Sequence, residues 1–531
     1  MTAVDVGARA RAWVEAEPDA DIRDELQALI DGPEDVLAER FAGRLMFGTA
    51  GLRAAVGAGP LRMNRLVVRQ AAAGLAQYLL DTDPDARERG VVIGYDARRK
   101  SDVFASDTAR VMAAYGIRSM LFDQKVPTPV LAWSVTELDA AAGVVVTASH
   151  NPPADNGYKV YLGDGAQIVP PHDVGISERI EAVDPTAVPI AEEGHQLIDS
   201  VGEELIAAYV SAIPAVRRRP DIAGVAVAYT AMHGVGGAVV LRAFEQAGLP
   251  KPEVVVEQFE PDGTFPTVSF PNPEEPGAMD LLLEVARRVD AHAAIANDPD
   301  ADRLGAAIPQ PDGSWRRLGG DEIGWLFADY LLNSTSGDDR FVVTTLVSSA
   351  LLRKMAAAHN VHSAETFTGF KWIARAVLDH PEWKFVLGYE QALGYLVAGR
   401  PLDKDGISAA VLFAEIAAAA HADGRTMQGW LDDIAARFGR HRLADASIRM
   451  TPAEAAAKVR AMQADPPREI GGRAVVSTEE YPEADLLRFE LEGGVRVQIR
   501  PSGTEPKVKL YGEAVDEDPA PYVKALGDLL S

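Results

Sequence analysis

Short apolar runs alternate along the chain with longer segments in which apolar positions recur at helical spacing. The short runs are rich in valine, as is typical of buried strands, and include GVVIGY, GVVVTAS, VAVAYT, EVVVEQF and FVVTTLV. The longer segments have the spacing of amphipathic helices, as in DVFASDTARVMAAYGI and ALLRKMAAAH. Strand, helix and strand in this order predict βαβ units with parallel sheets.

This βαβ pattern occurs in three successive blocks, and the last block of the chain differs. There LLRFEL and VRVQIR alternate apolar and polar positions on either side of Gly493 and Gly494, which predicts a hairpin in an antiparallel sheet. The predicted fold class is α/β, with three α/β domains of mixed, largely parallel sheets and a smaller C-terminal α+β domain. The predicted domains are residues 1–204, 205–317, 318–438 and 439–531.

The composition argues against several classes of protein. The chain is 47% hydrophobic and 24% charged, as in ordinary globular proteins, and no run approaches the roughly 18 to 20 apolar residues of a membrane span. The charged N-terminal stretch lacks the apolar core of a secretory signal, so we expect a cytoplasmic protein without membrane contact. With no cysteine there is no disulfide and no thiolate chemistry. The net charge of −26 argues against a nucleic-acid partner.

The sign of the charge reverses locally in the segment RPSGTEPKVKLY near the C-terminus. Its positive residues are Arg500, Lys507 and Lys509, which face Glu505 alone. Between them, Ser502 and Thr504 supply hydroxyl groups, and Gly503 permits close approach of backbone N–H groups. Such donors suit a phosphate dianion, so the segment predicts an anion site.

A serine follows one of the predicted strands in the segment GVVVTASHNPPADNGYKVY. Parallel sheets bind ligands beyond the C-terminal ends of their strands, which is where Ser149 is expected. The hydrolase motif Gly-x-Ser-x-Gly is absent, and His150 need not face Ser149. Taken alone, the segment is explained equally well by a capped turn stiffened by Pro152 and Pro153.

Three aspartates at alternate positions follow another apolar run in the segment NDPDADR. Asp298, Asp300 and Asp302 can converge on one Mg²⁺ ion, which prefers oxygen ligands. A calcium EF-hand is excluded because Arg303 and Pro309 occupy the positions of its glycine and glutamate. An aspartyl-phosphate enzyme with Asp298 as nucleophile remains an alternative. A solvated acidic turn is disfavoured, because three adjacent acids after a buried strand repel one another.

Two weaker candidates also follow strand-like runs. The loop GYEQALGY places Glu390 where a carboxylate can accept sugar hydroxyls, and TFTGFKWI places Lys371 just after Gly369. The segment HGVGGAVV lacks the third small residue of a dinucleotide fingerprint, because Val239 stands there, and no Walker A motif is present. We therefore expect no nucleotide cofactor.

In combination, these motifs resemble the α-D-phosphohexomutase superfamily. The segments TASHNPP, DPDADR, the glutamate loop and RPSGTEPK occur in the superfamily's order, and FGTAGLRA, TFTGFKW and GYEQALGY resemble its phosphoglucomutase-2 type branch. The resemblance covers about Phe47 to Tyr511. It implies an isomerase that interconverts hexose 1-phosphate and hexose 6-phosphate, with glucose as the expected sugar, through a phosphoserine enzyme and a sugar 1,6-bisphosphate. Mannose and pentose phosphates are alternatives, and a Mg²⁺-dependent phosphatase and a non-catalytic sugar-phosphate-binding protein are rivals.

The resemblance assigns candidate roles residue by residue. The catalytic candidates are Ser149, which carries the phosphoryl group, Lys159 for proton transfer, His150 and Arg53. The metal candidates are phosphorylated Ser149, Asp298, Asp300 and Asp302. The substrate-binding candidates are Arg303, Lys371, Glu390, Arg500, Ser502, Gly503, Thr504 and Lys509. One Mg²⁺ ion per chain, a sugar 1,6-bisphosphate activator, a phosphosugar as the only partner, and a monomer or dimer are expected.

The sugar loop departs from the bacterial bifunctional pattern Glu-x-Ser-Gly-His. After Glu390 the chain has no serine at the equivalent place, contains one extra residue, and carries Tyr395 where the histidine stands. A glutamate that binds the 3- and 4-hydroxyls does not distinguish glucose from mannose, which differ at C2. The resemblance also implies a fourth domain that moves while the bisphosphate reorients.

Overall fold

The computed structural model describes residues 3–47, 51–501 and 507–530. It divides into two compact units, each described separately below. The first contains Met1–Leu318 and Leu393–Ala422, and the second contains Gly319–Ala392 and Asp423–Ser531.

Three helices precede the first sheet and form what we call the N-terminal arm, residues 3–41. They are α1 (Ala3–Ala16), α2 (Ala20–Ile30) and α3 (Glu34–Arg40). Their buried faces include Ile22 and Leu26 of α2, while Trp13 packs edge-on against Phe41 with ring centroids 5.8 Å apart. These residues share one apolar core with the first sheet, so the arm is part of the first unit and not an appendage.

The first sheet is mixed and has six strands in the order β1-β5-β4-β2-β3-β6. Its elements are β1 (Leu52–Ala55), α4 (Arg65–Thr82), α5 (Ala86–Arg89), β2 (Val91–Tyr95), α6 (Ser101–Ala114), β3 (Ser119–Phe122), α7 (Thr128–Glu137), β4 (Ala142–Val146), β5 (Asp155–Leu162), α8 (His172–Ala182) and β6 (Ile198–Val201). Strands β4, β2, β3 and β6 are parallel, as predicted, and β5 and β1 are antiparallel additions. Tyr95 pairs with Val146, so the loops after β2 and β4 leave the same sheet edge.

The second sheet is also mixed, in the order β11-β10-β9-β7-β8. Its elements are α9 (Glu203–Ala212), a 3₁₀ turn (Ile213–Val216), β7 (Val227–Thr230), α10 (Gly237–Gln246), β8 (Glu253–Val254), a 3₁₀ turn (Val256–Gln258), α11 (Asp280–Arg288), β9 (Ala293–Ala296), β10 (Gly305–Pro309) and β11 (Trp315–Arg317). The expected strand EVVVEQF is only two residues long, because the chain turns into the 3₁₀ segment and leaves Val256 exposed. Strand β9 is entirely buried and ends just before the three aspartates.

The third sheet lies in the second unit and consists there of parallel strands in the order β13-β12-β14. The elements are α12 (Gly320–Ser334), β12 (Arg340–Thr345), α13 (Leu351–Ala358), β13 (His362–Thr366), α14 (Phe370–Asp379) and β14 (Lys384–Glu390). Glu390 is the last residue of β14, and Lys371 lies in the first turn of α14. Both candidates therefore lie beyond strand ends of a parallel sheet, as the sequence predicted.

The chain then returns to the first unit through β15 (Gly394–Leu396) and α15 (Gly406–Ala422). The returning segment is tied to the aspartate loop by two backbone hydrogen bonds, Leu304 N–H to Leu393 O at 3.0 Å and Gly406 N–H to Ala301 O at 3.1 Å. The turn between β15 and α15 is thereby placed against the aspartates.

The C-terminal part of the second unit is an antiparallel sheet in the order β16-β21-β20-β19-β18-β17. Its elements are α16 (Met427–Phe438), β16 (His441–Arg449), α17 (Pro452–Ala464), β17 (Glu469–Ile470), β18 (Arg473–Tyr481), a 3₁₀ turn (Pro482–Ala484), β19 (Leu486–Leu491), β20 (Val495–Pro501), β21 (Lys507–Val515) and α18 (Ala520–Asp528). Leu491 pairs with Val495 around the two glycines, which confirms the predicted hairpin. The predicted fold class is confirmed, and the domain boundaries stay predictions.

Within the described ranges, no single helix combines the length and apolarity needed to cross a membrane. Helices α15 and α16 meet that criterion only when they are counted together across a bend.

The buried Glu17 of the N-terminal arm makes stability depend on pH. Its Oε2 atom has no hydrogen-bond partner among the described residues, and burial raises the pKa of Glu17 from 4.5 to about 7. The neutral carboxyl group is thus preferred in the fold, and its stabilising contribution is complete below pH 4.5 and lost as the pH rises through about 7.

We therefore expect Glu17→Gln to be more stable than the wild type by about 3 kcal/mol at alkaline pH, with little difference below pH 4.5. Guanidinium unfolding curves at several pH values measure this difference. Glu15→Gln, at an exposed position of α1 two residues before Glu17, is the control and should follow the wild type. A stability gain in Glu17→Gln that does not change with pH would contradict the explanation.

Candidate active site

The loop after β4 holds Ser149 in a constrained, buried position. Ser149 is 2% exposed and has a φ of +50°, a left-handed conformation that is unfavourable for a residue with a side chain. Its N–H donates to Thr147 Oγ1 at 2.9 Å. After the two prolines, Asp155 N–H donates to Pro152 O at 3.0 Å and the chain enters β5. This turn therefore fixes the direction of the Ser149 hydroxyl.

A single arginine from the neighbouring loop binds the backbone of the Ser149 loop. Arg98 lies three residues beyond β2 and is 3% exposed. Its guanidinium donates to four carbonyl oxygens, those of Ser149 (2.6 Å), Asn151 (2.6 Å), Pro152 (2.8 Å) and Asp155 (3.0 Å). The rigid guanidinium fork thus fixes several positions of the loop at once. The sequence analysis missed Arg98, because only the pairing of β2 with β4 shows that its turn lies beside the Ser149 loop.

Three aspartates meet the Ser149 hydroxyl from the loop after β9. Asp298, Asp300 and Asp302 are at most 1% exposed, and their carboxylate oxygens lie within 4.8 Å of one another. Ser149 Oγ donates to Asp298 Oδ2 at 2.6 Å, and the N–H of Arg303 donates to Asp298 Oδ1 at 3.0 Å. Two segments 149 residues apart in sequence therefore meet, as expected for one site at the strand ends.

Three cationic side chains lie beside these acids. Lys159 Nζ donates to Asp300 Oδ2 at 2.7 Å and to Asp302 Oδ2 at 2.9 Å. Lys404 Nζ lies 3.3 Å from Asp302 Oδ2, and Arg303 Nε lies 3.9 Å from Asp302 Oδ1. The sequence analysis missed Lys404, whose turn LDKDG between β15 and α15 is far away in the chain.

Burial and neighbouring charge act in opposite directions on the aspartates. Burial, reinforced by the two other carboxylates, raises the pKa of Asp298 well above its usual range. Burial also opposes ionisation of Asp302, but Lys159, Lys404 and Arg303 together hold its pKa well below the usual range. Burial alone would lower the pKa of Lys159, yet Asp300 and Asp302 raise it. The cluster thus contains ionised carboxylates and a protonated lysine.

The oxygen donors of this cluster fit a divalent cation. Asp300 Oδ1 and Asp302 Oδ1 are buried and have no hydrogen-bond partner in the part of the chain that the structure describes. Unsatisfied buried carboxylate oxygens are costly, and a hard cation such as Mg²⁺ would satisfy them. The donor set therefore suits the ion that the sequence predicted.

Two further candidates lie beside Ser149. His150 Nδ1 is 3.0 Å from Ser149 Oγ, so the two adjacent side chains do meet. Burial, with Arg303 and Arg53 next, lowers the pKa of His150 well below its usual value. Arg53, on β1, donates from one terminal nitrogen to Asn151 Oδ1 at 3.0 Å, while its buried Nε has no partner among the described residues. Arg53 therefore has a donor left for a ligand.

The candidates for sugar binding come together within the second unit. The N–H of Gly369 donates to Glu390 Oε2 at 3.3 Å, and Gly369 immediately precedes α14 with a φ of +108°, a conformation that requires glycine. Lys371 is buried, and its Nζ lies 5.5 Å from the ring centroid of Trp372. The TFTGFKW and GYEQ loops thus form one surface.

The candidates for phosphate binding lie on the last hairpin of the chain. Arg500 of β20 pairs with Lys509 of β21 across the sheet, and the buried Nε of Arg500 has no partner among the described residues. Burial raises the pKa of Tyr511, whereas the charge of Arg500 and a hydrogen bond from it lower that pKa. Ser502, Gly503 and Thr504 lie outside the described residues.

The aspartate cluster predicts a measurable response to Mg²⁺. Adding Mg²⁺ should raise the thermal midpoint of the wild type, because an ion at 100 times its dissociation constant stabilises the folded state by about 2.7 kcal/mol. Asp302→Asn should lose most of this shift, whereas Asp312→Asn, at an exposed turn, should retain it. Equal Mg²⁺ shifts in the three proteins, measured by calorimetry, would contradict the assignment.

Comparison with protein families matches four successive descriptions to the chain. They are phosphoglucomutase/phosphomannomutase alpha/beta/alpha domain I at residues 44–187, domain II at residues 207–313, domain III at residues 319–438 and the C-terminal domain at residues 446–525. Similar solved structures include one from Thermus thermophilus described as "putative phosphomannomutase", with 23% identity, a TM-score of 0.72, and coverage of 92% of this chain and 99% of that one. An N-acetylphosphoglucosamine mutase from Aspergillus fumigatus, described with GlcNAc-6P and magnesium, has 15% identity, a TM-score of 0.52, and coverage of 96% and 98%. At these identities the two structures support the fold alone.

Two relatives show closer similarity along nearly their whole length. A Haemophilus influenzae protein described as "Probable phosphomannomutase" is 42% identical over 475 residues, which cover 88% of this chain and 96% of the relative. The Homo sapiens phosphopentomutase is 34% identical over 570 residues, which cover 95% of this chain and 91% of the relative. The chain therefore belongs to the phosphoglucomutase/phosphomannomutase family, the phosphosugar mutases of the α-D-phosphohexomutase superfamily.

Proposed function

We propose that this protein interconverts hexose 1-phosphate and hexose 6-phosphate, with glucose as the sugar, through phosphorylated Ser149. The observation that carries the proposal is the 2.6 Å contact between Ser149 Oγ and Asp298 within a buried aspartate cluster. Relatives described as acting on mannose or pentose phosphates make those sugars the alternatives.

In the proposed cycle, the phosphoryl group moves from Ser149 to a free hydroxyl of the sugar phosphate. The bond between phosphorus and Ser149 Oγ breaks as a bond to the sugar oxygen forms, and the proton that leaves the sugar hydroxyl ends on Ser149 Oγ. The 1,6-bisphosphate then turns over and returns its other phosphoryl group to Ser149. Such transfers depend mainly on alignment and on stabilisation of charge, so the fixed Ser149 loop is the main contribution of the protein.

The residues around Ser149 have different roles in the phosphoryl transfer. Arg98 holds the loop carbonyls, which keeps Oγ in line with the incoming hydroxyl. Asp298, Asp300 and Asp302 would hold Mg²⁺, one ion per chain, and a bound ion would neutralise negative charge on the transferred phosphoryl group. Lys159 stays a prediction as the proton-transfer residue.

We assign His150 and Arg53 to the phosphoryl group carried by Ser149. His150 Nδ1 lies within hydrogen-bond distance of Oγ, and the remaining donor of Arg53 is available to a phosphate oxygen. We assign Arg303, whose guanidinium lies beside Asp302, to the same phosphate.

Sugar and phosphate binding are assigned to the second unit. Glu390, oriented by Gly369 N–H, accepts two sugar hydroxyls, and Lys371 lies in the adjoining turn. Arg500 and Lys509, with Ser502, Gly503 and Thr504, bind the phosphate that is not being transferred. Because the bisphosphate presents each phosphate in turn, this loop must accept both.

The alternative nucleophile, Asp298, is less well supported by the geometry. Both of its oxygens accept hydrogen bonds, one from Ser149 Oγ and one from the N–H of Arg303. An aspartyl-phosphate enzyme needs a carboxylate oxygen that can attack the phosphorus atom, whereas Oδ2 of Asp298 accepts a hydrogen bond from Ser149 Oγ. A non-catalytic protein that only binds sugar phosphates would not need the contact between Ser149 Oγ and Asp298.

The activator, the location, the partners and the oligomeric state are further parts of the proposal. A sugar 1,6-bisphosphate would act as the activator by phosphorylating Ser149, since an Aspergillus fumigatus relative of the fold is described in complex with glucose 1,6-bisphosphate. A cytoplasmic location, the absence of nucleic-acid and membrane partners, and a monomeric or dimeric state stay predictions.

Ser149→Ala should lower turnover of glucose 1-phosphate by at least about a thousandfold, because the proposed carrier of the phosphoryl group is removed. A coupled assay for glucose 6-phosphate, with and without glucose 1,6-bisphosphate, measures this loss. Ser211→Ala removes an exposed hydroxyl that bonds only Ala208 O and should leave the rate unchanged. Full activity in Ser149→Ala would overturn the mechanism.

Glu390→Gln should lower kcat/KM about 10- to 100-fold, because charge-assisted hydrogen bonds to the sugar are lost. The loss should be similar for glucose and mannose 1-phosphates, which share the 3- and 4-hydroxyls. Glu382→Gln, an exposed position in the same unit, is the matched control. The wild-type values for glucose, mannose and ribose 1-phosphates identify the preferred sugar, and an unchanged Glu390→Gln would contradict the assigned role.

A further inference from the structure

The N-terminal arm lies outside the four matched family segments, the first of which starts at residue 44. It nevertheless contacts the loop that carries Arg98. Lys100 Nζ donates to Asp19 Oδ2 at 2.8 Å and to Asp21 Oδ1 at 2.9 Å, and Arg99 also bonds Asp21. Asp19 and Lys100 are largely buried side chains, 13% and 15% exposed, so this ion pair is stronger than an ordinary surface pair.

Lys100 is the N-cap of α6 and has a φ of +65°, a conformation that is unfavourable for lysine. Two residues earlier, Arg98 donates to the carbonyl oxygens of the Ser149 loop. The inner side of this turn is held by Ser101 Oγ, which donates to Asp96 Oδ1 at 2.6 Å. The outer side is held by the acids of the arm, so both sides of the Arg98 turn are fixed.

The arm is anchored independently at three further points. Asp19 Oδ1 accepts from Arg65 at 3.1 Å, and Arg65 also binds the buried Asp107 of α6. Glu25 Oε2 accepts from the N–H of Ala58 at 3.0 Å, and Arg40 donates to Ala58 O at 3.1 Å. Ala58 lies three residues beyond β1, the strand of Arg53. These contacts fix the arm in place, so that Asp19 and Asp21 can hold the Arg98 turn.

We propose that the N-terminal arm positions the phosphorylated serine loop, with Lys100 as the positioning residue that links Asp19 and Asp21 to Arg98. This inference rests on the proposed role of Ser149. Lys100 touches no reacting atom, and it acts by holding the Arg98 guanidinium against the carbonyls that orient Ser149. Phosphoryl transfer is sensitive to alignment, so a small displacement of this turn lowers the rate of transfer more than it weakens binding.

The test is Lys100→Met, which removes the ammonium and keeps most of the side-chain volume. We expect kcat to fall about tenfold with KM within about twofold of the wild type, because alignment and not sugar binding is disturbed. Hydrogen exchange of the backbone amides in residues 147–156 should become faster. Lys100→Arg keeps both ion pairs and should restore kcat and exchange.

Two variants accompany this comparison. Asp21→Asn removes one of the two acids at a half-exposed position and should give a smaller change in the same direction. Asp81→Asn breaks the exposed Arg179–Asp81 pair, 2.7 Å long and in the same domain, and should change neither kcat nor exchange.

The outcomes separate this inference from the proposed function. If Lys100→Met lowers the thermal midpoint but leaves kcat and the exchange of residues 147–156 unchanged below that midpoint, the arm is structural only and the inference is wrong. If the wild type turns over no sugar phosphate, the proposed function fails, while the exchange measurement still decides whether the arm holds the Ser149 loop. Faster exchange confined to that loop supports the coupling in either case.

Discussion

Three carboxylates buried within 4.8 Å of one another are the constraint on which the rest of the site depends. Mutual repulsion would otherwise prevent their ionisation. Lys159, Lys404 and Arg303, each within 4 Å of a triad carboxylate, supply three positive charges beside these acids. The charges of a divalent cation and of a phosphate dianion nearly cancel, so the two can bind together at this cluster. This balance explains why a strongly acidic protein places three cations at one buried point.

Meeting this constraint requires segments that are far apart in the chain. Lys159 comes from an antiparallel strand, β5, that lies between β1 and β4. Lys404 comes from the turn before α15, which is tied to the aspartate loop by backbone hydrogen bonds. The loop of Ser149 is in turn held by Arg98, from the end of the strand parallel to β4. The parallel sheets thus supply the loops, and buried ion pairs fix their positions.

The parts of the fold and of the site that depend on local patterns could be predicted from the sequence. Apolar runs predicted the strands before Ser149 and the aspartates, and the two glycines of the C-terminal block predicted the hairpin. The pattern failed at EVVVEQF, where the β-branched residues after Val254 form a 3₁₀ turn, because Val256 finds no apolar layer to pack against. The β-propensity of a segment does not show whether other apolar residues will pack against it.

The roles of Arg98 and Lys404 could not be predicted, because they depend on long-range geometry. Both lie in charged turns that look solvated in the sequence, DARRKS and LDKDG. Only the strand register shows that the first turn lies beside the Ser149 loop, and only the return of the chain through β15 shows that the second reaches Asp302. The same limit applies to the N-terminal arm, whose Asp19 meets a residue 81 positions away.

The central claim is that the phosphoryl group is carried by Ser149 and not by an aspartate. The most direct measurement is to incubate the protein with a sugar 1,6-bisphosphate, quench it and locate the phosphate by peptide mass spectrometry. The account predicts one acid-stable phosphate on the peptide that contains Ser149, and its loss when sugar monophosphate and Mg²⁺ are added. Phosphate found on Asp298, or none on Ser149 while turnover proceeds, would contradict it.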